Sequence, residues 1–175
     1  MNPLRMYDYL LKTRPRLVRS VELLGPEEYA RAMGFGLGSV GSTLAHLVIS
    51  EWYYIERLEG RSVRPYAEWE IQYERPPGVE VLGPRWEEQG ARIRSVISAE
   101  RDWNRVIRYE SFADDEGKRW AIAATAGDIV TQLVLHEVHH RAQMMAMLRL
   151  IGGTGREVED IDYGMLMYQK TELRV

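Results

Sequence analysis

The sequence predicts an all-α fold, a helical bundle with one long crossover and one β-hairpin. Three observations carry that reading. Apolar residues recur every three to four positions along several long segments. One stretch alone, from Val106 to Ile122, has the pattern of a strand pair around a turn. The connection from Arg61 to about Gly83, with Pro65, Pro76, Pro77 and Gly78, is too long for a tight turn and is expected to run along the bundle.

The first predicted helix covers about Pro3 to Leu24, with Leu4, Tyr7, Leu10, Leu11, Leu17, Val18 and Val21 in rough helical period. Pro15 is expected to kink or restart it. Gly25-Pro26-Glu27-Glu28 leads into a short helical stretch ending near Met33. The next segment contains G-x-G-x-x-G at Gly36, Gly38 and Gly41. A dinucleotide fingerprint needs a strand before it, and the preceding residues read as helix, so this is a flexible turn with Ser39 or Ser42 as N-cap.

A second long helix runs from about Ser39 to Leu58, with Val40, Leu44, Leu47, Val48, Trp52, Ile55 and Leu58 on one broad face. His46, Ser50, Tyr53 and Arg57 form an adjacent polar flank. Glu51 projects into the apolar face and, if buried, needs an arginine or hydroxyl partner. Gly60 ends the helix. The third helix is expected from about Pro84 to Trp103, with Pro84 in its first turn and Trp86, Ile93, Val96 and Ile97 facing the core. Val106–Tyr109 and Arg119–Ile122 then flank a turn at Asp114-Asp115-Glu116-Gly117. The last long helix, from near Thr125 to Ile151, is apolar almost all round (Ile129, Leu133, Leu135, Val138, Met144, Met147, Leu148), which marks a central helix stopped by Gly152-Gly153. The tail from Glu157 predicts a further short helix.

A chain of 175 residues, 45% hydrophobic and 28% charged, is expected to form a single domain over residues 1–175. Its net charge of −3 argues against nucleic acid as a partner. No apolar run is long enough for a membrane span and the first residues do not read as a signal peptide, so a cytoplasmic location is expected. With no cysteine, any metal must take nitrogen and oxygen ligands, and any thiol chemistry must use a thiol from outside.

Three of the four histidines lie within His136-Glu137-Val138-His139-His140. His136 and His140, four residues apart, project from one helix face and suit two ligands of one ion. The bland alternative is two histidines satisfied by ordinary hydrogen bonds. As H-E-x-x-H the same run reads as a metallopeptidase site, with Glu137 activating water and Glu157 or Glu159 as downstream ligand. Otherwise the third ligand lies upstream, and His46 is the remaining histidine. Tyr53, Arg57 and Gln143 are candidate pocket-lining residues.

The run Ser39-Val40-Gly41-Ser42-Thr43-Leu44-Ala45-His46-Leu47, followed by Glu51-Trp52-Tyr53-Tyr54, resembles the second helix of the DinB/YfiT-like superfamily. His136 to Gln143, followed by Leu148-Arg149-Leu150-Ile151-Gly152, resembles its last-helix signature, with Ala142 where glycine is usual. The hairpin and Asp160-Ile161-Asp162-Tyr163 also fit. The resemblance implies a four-helix bundle with a long crossover between helices two and three and a divalent metal, nickel or zinc, held by His46, His136 and His140. It also implies a homodimer and, in some relatives, thiol-dependent transferase or isomerase activity on small molecules. Glu137 falls where the family varies. The leading expectation is thus a metal-dependent enzyme that activates a small nucleophile, either a low-molecular-weight thiol for transfer or water for hydrolysis. The alternatives are a non-catalytic, metal-stabilised scaffold associated with stress and the peptidase using Glu137.

Overall fold

A computed structural model describes residues 2–113, 116–152 and 161–171. Four long helices carry the fold: α1 (Pro3–Glu22), α3 (Val40–Leu58), α4 (Val79–Ala99) and α5 (Ala126–Ile151). Short helices α2 (Pro26–Tyr29) and α6 (Tyr163–Met167) join them, and β1 (Val106–Glu110) pairs with β2 (Ala121–Thr125) just before α5. The crossover between α3 and α4 holds a single 3-10 turn at Tyr66–Glu68.

Local chemistry sets the helix limits. Asn2 caps α1, accepting a hydrogen bond from Arg5 N–H at 3.0 Å. Ser39 caps α3 in the same way through Ser42 N–H, also at 3.0 Å. Thr125 and Asp128 form a reciprocal capping box at the start of α5. α3 and α5 end at Gly60 and Gly152, both in the left-handed region that favours glycine. The G-x-G-x-x-G run is a turn into α3, as expected.

Several boundaries differ from the sequence reading, among them the ends of α2, at Tyr29 and not Met33, and of α4, at Ala99 and not Trp103. α1 continues through Pro15 without restarting. α4 begins at Val79, five residues before Pro84, so that proline lies inside the helix, where it leaves the Glu80 carbonyl without its usual donor. Strand β2 starts at Ala121, not Arg119, and pairs in antiparallel register with Ile107 opposite Ala124. Alanines have little strand preference, which masks this run in the sequence; the register is fixed by turning Ile107 into the core.

The core falls into two clusters. One gathers Leu17, Val21, Leu44, Leu47, Trp86, Met144 and Met147; the other gathers Tyr7, Leu10, Ile55, Ile93, Ile97, Ile129 and Leu133. Along every long helix the boundary between them carries a polar residue: Arg14 on α1, Glu51 on α3, Gln89 on α4 and Glu137 on α5. α4 approaches α1 closely at Gly90, where a Cβ would stand 2.7 Å from Leu11 Cδ2. The buried face of α5 is narrower than its composition suggests, since Leu135 and Leu150 are exposed.

Candidate metal centre

α3 and α5 pack side by side, and that packing brings together histidines separated by 90 residues. His46 comes from the middle of α3; His136 and His140 come from successive turns of α5. One nitrogen from each lies within 4.8 Å of the other two, and among the described residues this is the one group of three metal-ligating side chains so close. The Nε2 atoms of His46 and His136 are 3.0 Å apart. Two nitrogens bound at 2.0–2.1 Å to a shared ion stand roughly 3.0–3.4 Å apart, so this pair needs little adjustment to hold one.

The hydrogen bonds around the rings also fit a cation. Among the described residues His46 Nδ1 is buried without a partner, and its Nε2 meets only His136 and, at 3.3 Å, the Ser50 hydroxyl. His140 Nδ1 lies 2.9 Å from Gln143 Oε1, an acceptor, which places the ring proton on Nδ1 and leaves the Nε2 lone pair free. The Gln143 amide nitrogen reaches His139 Nε2 at 3.0 Å. Gln143 therefore touches two of the three histidines on its own helix. His139 itself is exposed and outside the trio.

Burial keeps the trio neutral. Desolvation, with His140 nearby, lowers His46 to about 4. Desolvation together with His46, His140 and His139 lowers His136 to about 3. His140 is lowered as well, again chiefly by burial. All three lone pairs are available near neutral pH.

Glu137 points elsewhere. It is buried and bonded to Arg14, Oε2 to Nη2 at 2.6 Å and Oε1 to Nε at 3.3 Å. Arg14 also binds Glu51, which accepts from the Tyr7 hydroxyl at 2.6 Å and from the Gln89 amide at 2.8 Å. Glu51 thus has both the arginine and the hydroxyl partner that its place on an apolar face demands. Burial, joined by the Glu137 charge, outweighs Arg14 and raises the Glu51 carboxyl above its ordinary range. A carboxylate committed to a buried guanidinium is not free to act as the base of an H-E-x-x-H site, so the peptidase reading fails on geometry. Glu157 and Glu159, its possible third ligands, lie outside the described residues.

Aromatic rings surround the trio. Tyr54 meets His136 edge-on with ring centroids 5.5 Å apart, and Tyr73 of the crossover meets His46 likewise at 5.5 Å. Tyr73 continues to Tyr66 and Trp69, and Trp69 to Tyr53 and Phe112. The sequence reading missed the crossover aromatics, although Tyr66, Trp69 and Tyr73, spaced three and four apart, offered a signal. Tyr53 belongs to this band, one turn beyond Ser50. Arg57 lies further along α3, between the Tyr53 and Tyr109 rings.

The DinB family model matches residues 1–173. The chain belongs to the DinB family. A crystal structure of a DinB-like protein from Bacillus cereus ATCC 10987 superposes with a TM-score of 0.57 at 14% identity, covering 82% of this chain and 91% of that one. At that identity the likeness speaks for the fold, and it supports the helical architecture with a hairpin before the last long helix. No curated protein matches the chain. In this DinB protein the three-histidine group stands where two core helices pack, and no helix among the described residues is long and apolar enough to cross a membrane.

Proposed function

We propose that this DinB protein is a divalent-metal-dependent enzyme acting on a small molecule, with His46, His136 and His140 as metal ligands and a low-molecular-weight thiol or water as nucleophile. The observation that carries the reading is the convergence of three neutral, half-buried imidazoles, one of which keeps a buried nitrogen without a partner. An all-imidazole donor set suits zinc or nickel. A bound cation would supply Lewis acidity toward a thiol or water at the position three ligands leave open.

The remaining work falls to the chain's own residues. Gln143 holds the His140 ring by its Nδ1 proton. Tyr54 and Tyr73 cover the edges of His136 and His46 and limit water around them. The Arg14 pairs to Glu51 and Glu137 tie α1 to both ligand-bearing helices, fixing how α3 and α5 face each other. Because the chain has no cysteine, a thiol enters as a co-substrate.

The test is turnover by zinc- or nickel-loaded protein, purified without a histidine tag, on two panels: electrophiles offered with small thiols, and activated esters and amides. The proposal expects turnover on one panel that chelation and His136→Ala both abolish. Metal that raises the melting temperature while both panels stay silent would favour the non-catalytic scaffold instead.

A further inference from the structure

Arg57 is buried, 7% exposed, yet it has no carboxylate partner among the described residues. Its guanidinium lies between two phenol rings, 5.0 Å from the Tyr53 centroid and 4.5 Å from that of Tyr109. Among the described residues it makes one hydrogen bond, from Nη2 to the Glu110 carbonyl at 3.3 Å, and Nε is buried with no acceptor. Carboxylates on the neighbouring elements are committed elsewhere: Glu56 and Glu59 to Arg92 and Arg61, and Glu110 to Arg119. A buried cation lacking an anion is costly, and cation–π contacts offset only part of that cost. The arrangement has the character of an anion-binding guanidinium more than of a structural ion pair.

The rings place this cation relative to the metal centre. Tyr53, which stacks on Arg57, meets Tyr54 with centroids 5.6 Å apart, and Tyr54 meets His136 at 5.5 Å. Arg57 follows His46 by eleven residues of α3, roughly 16 Å along the helix axis. An elongated ligand lying over Tyr53 and Tyr54 would have one end at each site.

We infer that Arg57 anchors the anionic end of the substrate, a carboxylate-bearing molecule whose apolar or aromatic body lies along Tyr53 and Tyr54 toward the histidine trio. A single carboxylate is favoured because one negative charge neutralises one guanidinium, and its planar fork matches the guanidinium's paired donors. The inference rests on the proposed function for the direction in which the ligand lies; the anion site itself stands on Arg57.

Phenylhexanoate and its uncharged counterpart phenylhexanol serve as probes, titrated against zinc-loaded protein by tryptophan fluorescence. Wild type is expected to bind the acid about tenfold or more tighter than the alcohol, and Arg57→Met to bind both alike. Arg57→Gln, which keeps a planar polar head without charge, gives the same readout should the methionine variant fail to fold. Equal binding of acid and alcohol by wild type, no binding of either, or a preference that survives in the folded variant would overturn the inference. Zinc content is measured on the same samples. Full zinc occupancy without acid preference removes the Arg57 assignment alone, whereas acid preference without zinc uptake removes the proposed function and leaves the anion site standing.

Discussion

His46 and His136 place their Nε2 atoms 3.0 Å apart across the α3–α5 interface, with no acidic residue joining them in the trio. Two half-buried imidazoles so close tolerate neither a double charge nor two N–H groups face to face. A shared cation resolves both conflicts at once, and removing the cation or its supports should have measurable effects.

Metal should stabilise the fold. A ligand present at a hundred times its dissociation constant contributes about 2.7 kcal/mol. In a chain of this length that corresponds to a melting temperature about 5–10 °C higher than in chelated protein. Calorimetry with and without chelator measures it, and identical transitions would count against a specific site.

Gln143→Leu keeps the bulk of the side chain but removes the acceptor at His140 Nδ1. Loss of such an orienting partner weakens metal affinity about 10–100-fold. A competition titration with a chromogenic chelator should show that loss with the fold intact by circular dichroism.

Glu137→Gln separates the two readings of the H-E-x-x-H run. Because Glu137 pairs with Arg14 and not with the histidines, the substitution should lower stability by about 3–5 kcal/mol while the folded fraction still takes up its metal. Urea unfolding and metal stoichiometry on the same preparation test both halves. Unchanged stability would mean that the buried pair is not formed.

The pH dependence of metal-free protein has a defined sign. His46 and His136 have folded-state values of about 4 and about 3, below the ordinary histidine value of 6.5. Between pH 6.5 and about 4 the unfolded chain therefore binds more protons than the folded one, and stability falls as pH falls through that window. A variant with both histidines replaced by glutamine should lack this component. Melting of chelated wild type should drop relative to that variant by several degrees on going from about pH 7 to about pH 4.5. A flat difference would contradict the burial of the two rings.

Much of the bundle is legible in the sequence because helical period and caps report directly on which face is buried. Ser39, Gly60, Thr125 and Gly152 mark helix ends through chemistry that acts within a few residues. The need of Glu51 for an arginine or hydroxyl is legible too, but not that the arginine is Arg14 or that Glu137 shares it, because pairing across helices depends on their relative rotation. Pro84 misleads because proline usually opens a helix, whereas here α4 tolerates it in its sixth position. The three histidines stand out through a motif, and Tyr54 follows from the helix that carries His46; the position of Tyr73 against His46 depends on where an irregular crossover lies, which helical period does not encode.

Three histidines from two helices should bind one divalent ion, and elemental analysis of tag-free protein, dialysed after loading with zinc or nickel, is the sharpest test. About one ion per chain is expected in wild type, with near-complete loss in each of His46→Ala, His136→Ala and His140→Ala and none in His139→Ala. Wild-type protein that retains no metal, or a His46→Ala variant that retains a full complement, would contradict the shared site.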